Sequence, residues 1–473
     1  MKRLLTLFLL LFSSALVLSA CALPTTPTHT HAWGEWQVTR EATCALEGEK
    51  QRVCECSEVE TARIAKEMHV RDEGTVTLQP TCTTEGRMVI RCTECAAEII
   101  SSPVDKLPHD YELISTTEPT CTAVGYSRYE CRECGFEHED DFVPANGHKL
   151  TGAVYNGDAT GSKNGTATGF CTVCKTDGAV AEIHGSSDLI RAIFGGKKVS
   201  VMGDSISTYV NVSGGDAAKT TNSTIKSNSL YYNGVHNELL LDNDVNKTWW
   251  MRTINHLGAD LLVNNSDSGG FILDFKANGN APAYLRADQL HDDTGDDAGT
   301  EPDMIFIYLG TNDFARYGKN AAFGDVGSVD FDSLEDMCSP DYRAKSVAEA
   351  YAILLYKLTR TYENAEIYCL DLIEATSWHT NGRDQTIDDF NAMIAALCER
   401  FGAHFVDVYT KSGITLENLN DYVPVYDGDD TDNLYHPNAA GFELISNVLL
   451  EVIIENTEDY PTFEDFSALI KEE

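Results

Sequence analysis

From Lys198 onward, short apolar runs alternate with longer amphipathic stretches, and this alternation limits the possible folds more than any other feature of the sequence. Strand-like runs fall at residues 199–202, 261–263, 304–309, 366–370 and 405–408, and helix-like stretches at 249–257, 346–361, 385–401 and 439–454. Parallel strands need long crossover connections, which helices usually supply, so the pattern predicts an α/β fold with a parallel sheet wrapped by helices. In such open sheets ligands bind beyond the C-terminal ends of the strands.

Chemistry-bearing residues gather at those ends. Gly203-Asp204-Ser205 closes the first run, and Asn265-Ser266-Asp267-Ser268-Gly269-Gly270 follows the second. Gly310-Thr311-Asn312-Asp313 follows the third, and Tyr435-His436-Pro437-Asn438 precedes the last helix. Each cluster has an ordinary structural use by itself: a Ser or Asn caps a helix, a Gly pair makes a turn, a loop His faces solvent. A free hydroxyl is barely ionised at neutral pH and needs a base, and His436, on a loop fixed by Pro437, is the candidate base for Ser205.

In order and strand context these clusters resemble the SGNH (GDSL-type) hydrolase family over residues 198 to about 455, with Ser205, Gly269, Asn312 and His436 as the name-giving residues. The resemblance implies a flavodoxin-like three-layer α/β/α sandwich and a serine esterase with Ser205 as nucleophile and His436 as general base. An oxyanion hole would come from the backbone N–H of Ser205, the backbone N–H of Gly269 and the side-chain amide of Asn312, with no metal in the chemistry. The pattern departs from the family at the acid, because Asn433 stands three places before the histidine. Asp432, one place further back, is the candidate to orient the imidazole, with Asn433 or a backbone carbonyl as alternatives. The implied substrate is an ester, such as an acetyl group on carbohydrate, with lipid or peptidoglycan-sugar esters open. The competing reading is a surface-binding protein whose hydrolase-like part is weak or inactive.

Residues 209–247 form a long polar insertion read as the substrate rim, with Tyr231, Tyr232 and Trp249 as sugar-stacking surfaces and Trp250 as core. The acids Asp292, Asp293, Asp296 and Asp297 read as solvated, and so does the group Asp427, Asp429 and Asp430, whose spacing fits no calcium loop. Cys338, Cys369 and Cys398 are too scattered for a site, and Cys369 reads as buried in a strand.

Residues 31–185 contain a unit repeated at His31, His69, His109 and His148, a period of about forty residues. After each of the first three histidines come a lone Cys, a Gly and a Cys pair: Cys44, Gly48, Cys54 and Cys56; Cys82, Gly86, Cys92 and Cys95; Cys121, Gly125, Cys131 and Cys134. The fourth unit keeps Gly165, Cys171 and Cys174 but has Gly161 where the lone Cys belongs. Alternating residues such as 87–91 and 126–130 predict one β-hairpin per unit, the Gly suiting its turn. Units this small need a metal or a disulfide to hold a fold. Reading each unit as self-contained gives two structural zinc sites, His69, Cys82, Cys92 and Cys95, and His109, Cys121, Cys131 and Cys134. The alternative is a disulfide across each hairpin, which leaves an odd thiol per unit.

The first residues, Met1-Lys2-Arg3 and then a leucine-rich run, read as an export signal, and Leu18-Ser19-Ala20-Cys21 resembles a bacterial lipobox. That implies cleavage before Cys21, lipidation of its sulfur and a tethered protein on the outer face of a cell membrane, with several acyl chains anchoring it stably. The expected partition is 1–20 signal, 21–30 linker, 31–185 repeats, 186–197 linker and 198–473 hydrolase domain. A formal net charge of −39 makes nucleic acid an unsuitable partner.

Overall fold

The computed structural model describes residues 30–212, 230–232, 234–273, 281–292, 294, 298–316, 323–375, 386–424 and 435–470. Cys21 with its leader, the acid candidates Asp432 and Asn433, and the acids Asp293, Asp296, Asp297, Asp427, Asp429 and Asp430 lie outside the described residues. Two compact units result: Met1–Pro119 with Ala123–Ala145, and Thr120–Thr122 with Asn146–Glu473. Among the described residues no helix is long and apolar enough to cross a membrane.

The first unit holds three small antiparallel sheets. They are Gln37–Arg40, Gly48–Val53 and Val59–Ile64 (β1–β3); Thr75–Leu78, Gly86–Arg91 and Glu98–Val104 (β4–β6); and Tyr111–Thr117, Gly125–Cys131 and Glu137–Val143 (β7–β9). Each repeat is thus a three-stranded meander and not the hairpin expected. The outer strand escaped notice because segments such as Glu-His-Glu-Asp-Asp in β9 are exposed and acidic, carrying no apolar alternation. The repeated glycine also has another reason. It opens the central strand where the chain crosses closely, so a Cβ on Gly48, Gly86 or Gly125 would stand 2.6, 2.7 or 2.6 Å from Ala42, Leu78 or Pro119. The buried apolar side chains among the described residues of this unit are Val89 and the cysteines Cys44, Cys54, Cys82, Cys92 and Cys131. Sheets with so little apolar filling cannot offset the conformational entropy of their ordered residues.

The second unit contains the fourth meander, Leu150–Tyr155, Thr166–Cys171 and Ala179–Glu182 (β10–β12), then the helix Ser186–Phe194. Five strands follow: Lys198–Gly203, Asp260–Asn264, Met304–Tyr308, Glu366–Leu370 and His404–Val406 (β13–β17). All neighbours pair in parallel in the order β14-β13-β15-β16-β17, with Gly203 of β13 opposite Tyr308 of β15. Renumbered within the sheet this is the flavodoxin-like order 2-1-3-4-5, which reverses direction at the first strand. The strands are continuous apolar runs because both faces are covered. Helix Trp249–Leu257 packs against Ala439–Glu455, joined at its core by Thr253 and Ser446 hydroxyls 3.0 Å apart, and helix Val347–Thr361 packs against Ile387–Phe401. Side-chain caps set the helix starts: Thr248 accepts from Met251, Ser346 from Glu349, and Thr386 and Asp389 make a reciprocal capping box.

Several expectations change here. Val408 opens the short helix Val408–Lys411, capped by Asp407, and does not extend β17. Tyr232, Trp249 and Trp250 are fully buried, so Tyr232 and Trp249 belong to the core and cannot offer faces to a sugar. Asp292 is also buried: it bridges to Thr300, and its carboxylate accepts from Thr294 at 3.0 Å. Cys369 and Cys398, distant in sequence, meet in the core, where the thiol contact and burial push Cys398 well above the ordinary thiol range.

Candidate active site

At the C-terminal edge of β13 the backbone must turn sharply, and Asp204 supplies the cap. Its carboxylate accepts from the N–H of Ile206 at 3.1 Å, closing a tight turn over Ser205–Ser207. Ser205 is 5% exposed, at the point where strand order reverses. The Thr208 hydroxyl donates to the Ser205 carbonyl at 2.9 Å and accepts from the N–H of Tyr231 at 2.9 Å, tying the Ser205 turn to the long insertion.

His436 approaches from the loop ahead of the last helix. Its Nε2 lies 2.8 Å from Ser205 Oγ, a full hydrogen bond between residues 231 positions apart. Two anchors place the imidazole. The Tyr232 hydroxyl donates to the Pro437 carbonyl at 2.8 Å, and Asn438 caps the following helix while its amide donates to the Asp421 carbonyl at 2.8 Å. Tyr231 lies flat on His436, ring centroids 3.4 Å apart and planes 7° apart, with His236 stacked on its opposite face at 4.4 Å. Both faces of Tyr231 are therefore taken, which replaces its expected role as a sugar platform with one of packing the imidazole.

The loop after β14 comes to the same edge. The N–H of Asp267 donates to the Gly203 carbonyl at 3.1 Å and that of Gly270 to the Asp267 carbonyl at 2.8 Å, with Gly269 between them in the left-handed region at φ 76°. Asn312, after β15, donates its amide to the Gly270 carbonyl at 3.0 Å. An amide nitrogen carries two hydrogens, so this bond commits one of them. Ser205, His436, the Gly269 loop and Asn312 are thus brought to one edge of the sheet.

Beneath them lies a polar layer that sequence reading did not identify. Asp313 is fully buried and clasps the 271–273 segment, accepting from Ile272 at 2.9 Å and Leu273 at 3.0 Å. Burial lifts its carboxyl to about 7 against these two backbone bonds, and burial likewise lifts Asp204 to about 7, with Asp267 adding like-charge repulsion. Arg286, fully buried, donates to the Asn265 carbonyl at 2.9 Å and to the Asn265 side-chain oxygen. Desolvation depresses its guanidinium to about 10, partly opposed by Asp267. Asn264 donates to the Ser207 carbonyl at 3.0 Å. The available signal was the density of Asn and Asp directly after apolar strands, since charged groups are rarely buried without such partners.

The expected metal groupings are not those the structure forms. Cys82 stands with His109, Cys131 and Cys134, not with His69, and Cys121 stands with His148, Cys171 and Cys174, not with His109. His69, Cys92 and Cys95 are joined by Cys44, while His31, Cys54 and Cys56 form a trio.

A family model described as GDSL-like lipase/acylhydrolase matches residues 201–444, just over half of the chain. None of the curated proteins matches closely enough to count as a relative. Among solved structures, a GDSL-like lipase from Bacteroides ovatus is 23% identical, with 56% of this chain covering 100% of that one at a TM-score of 0.36. A carbohydrate esterase family 2 enzyme with a carbohydrate-binding domain from Corynascus is 16% identical, covering 78% and 83% at 0.33. A variant acetyl-xylooligosaccharide esterase from Geobacillus is 18% identical, covering 57% and 99% at 0.31.

Proposed function

Because the chain belongs to the GDSL-like lipase/acylhydrolase family, we propose that it hydrolyses carboxylic esters through Ser205 and His436, and that its substrate is a short acyl group, such as acetyl, on a neutral carbohydrate. The observation that carries the reading is the 2.8 Å contact between Ser205 Oγ and His436 Nε2 at the sheet's reversal point. In this scheme His436 takes the proton as Ser205 attacks the ester carbonyl, then returns it to the departing alcohol. Water, deprotonated by the same imidazole, attacks the acyl-enzyme and releases the acid. The N–H groups of Ser205 and Gly269 and the uncommitted amide hydrogen of Asn312 are assigned to the oxyanion. Asp432 is assigned to orient the imidazole.

The low exposure of Ser205 favours a small acyl group over a fatty chain. A net charge of −39 disfavours anionic lipid surfaces and polyanionic substrates, which leaves neutral sugars as the better match. Turnover of p-nitrophenyl acetate, followed by release of acetate from acetylated xylan, peptidoglycan fragments and short lipid esters, tests the reading. No turnover by the wild-type chain on any of them would favour a surface-binding protein. Asn312→Ala is expected to lower kcat by about a hundredfold or more with KM little changed, since the amide acts on charge that develops only in the transition state. A change confined to KM would remove Asn312 from that role.

We further propose that the protein is exported and tethered through lipid on Cys21. Labelled palmitate fed to cells expressing the full chain is expected to enter the wild type and not Cys21→Ala. Equal labelling of both would remove the anchor.

A further inference from the structure

We propose that the Cys/His repeats form a ladder of three zinc sites, each ion taking one thiolate from one repeat and an imidazole plus two thiolates from the next. The quartets are Cys44 with His69, Cys92 and Cys95; Cys82 with His109, Cys131 and Cys134; and Cys121 with His148, Cys171 and Cys174. In each, one ligand atom per residue lies within 4.8 Å of all the others.

In each quartet one sulfur–sulfur and one sulfur–nitrogen distance match a tetrahedral zinc shell. Two sulfurs each about 2.3 Å from one ion stand about 3.8 Å apart, and a sulfur and an imidazole nitrogen about 3.5 Å apart. Cys44 and Cys92 sulfurs are 3.6 Å apart, Cys82 and Cys131 3.9 Å, and Cys121 and Cys171 3.9 Å. The Nδ1 atoms of His69, His109 and His148 lie 3.4, 3.3 and 3.4 Å from Cys95, Cys134 and Cys174. A disulfide would need sulfurs near 2.05 Å and would strand one of three thiols in every quartet. Three soft sulfurs and one imidazole, with no open position, make a closed structural set.

The handing-on of one ligand follows from the backbone. In each interval, the residue two places before the incoming histidine donates to the carbonyl just before the lone Cys. Glu67 bonds to Thr43 at 3.2 Å, Leu107 to Thr81 at 3.0 Å and Asn146 to Thr120 at 2.9 Å. The ladder also accounts for its two ends. The first trio, His31, Cys54 and Cys56, has no cysteine of a preceding repeat among the described residues. The last repeat has no successor to supply, and Gly161 replaces its lone Cys. There the N–H of Gly161 donates to the His256 carbonyl at 2.6 Å, and a Cβ would stand 2.2 Å from the Leu257 carbonyl. The turn that elsewhere passes on a thiolate here docks on the end of helix Trp249–Leu257. In the first unit the thiols are also most of what is buried, so the ions take the place of an apolar core.

The test is metal content of the purified full chain and its variants. Three zinc ions per chain are expected, with the nine quartet thiols becoming titratable only after chelation, while the described cysteines outside the quartets stay free throughout. Cys82→Ser combined with Cys131→Ser should lose one ion, because the two residues share it; loss of two would restore sites confined within single repeats. Two variants at exposed positions guard against misfolding. Cys174→Ser should lose one ion and Cys56→Ser none, and the reverse result would overturn the ladder. Absence of zinc together with fully oxidised thiols would overturn the metal altogether. Ester turnover in the same preparations reports that the hydrolase part remains folded.

Discussion

Replacing Ser205 with alanine is expected to lower kcat for p-nitrophenyl acetate by about 10⁴-fold or more, leaving only what donors and binding supply without a nucleophile. Of the neighbouring hydroxyls, that of Thr208 is committed to the Ser205 carbonyl, and only that of Ser205 is within hydrogen-bond distance of His436 Nε2 among the contacts of the described residues. His436→Ala should cost a similar factor, and the double variant little more than either single one, because attack and proton transfer are one event. Ser205→Ala removes one hydrogen bond and little bulk, so the unfolding free energy should fall by no more than about 1 kcal/mol. Turnover within tenfold of wild type in Ser205→Ala would end the serine mechanism.

The largest structural effect is expected at Gly310, the residue that turns the chain from β15 into Asn312. Its φ is 125°, a region closed to side-chain-bearing residues, and a Cβ there would lie 2.5 Å from the ring of buried Phe390. Gly310→Ala therefore incurs backbone strain of about 1–3 kcal/mol and overpacking of similar size. A sum near 4 kcal/mol corresponds to roughly a 10 °C fall in the melting temperature of a domain this large. Activity should fall with it even well below that temperature, because any relief moves Asn312 away from the Gly270 carbonyl. A melting temperature within 2 °C of wild type, read by calorimetry, would contradict this account of the turn.

How far the sequence could be read depended on where the deciding physics lay. The five strands were legible because buried parallel strands are apolar throughout, and their boundaries in the structure lie within a residue or two of those expected. That Ser205, Gly269, Asn312 and His436 would come to one edge was legible because the first three follow such strands and the last precedes a helix led in by Pro437. The supporting layer was not. Asp313 and Arg286 are charged residues with no apolar pattern around them, and only the fold shows them buried among backbone donors and carbonyls. Tyr232 and Trp249 misled for the converse reason: aromatic residues beside a polar insertion suggest a rim, yet both fill the core. The cysteines illustrate the limit most sharply. Cys82 is nearer in sequence to His69 than to His109, so spacing pairs it within its own repeat. The pairing is decided instead by a turn folding back from the following segment, which no periodicity records.

A repeat that lends a sulfur forward and borrows one from behind is a link, not a bead. Remove everything from one histidine to the residue before the next, and Cys44 would meet His109, Cys131 and Cys134 with no ligand left over. Such a ladder can lengthen or shorten across generations by whole links without an unmatched thiol inside it. The closing link, where Gly161 meets the helix end, keeps that freedom away from the catalytic sheet.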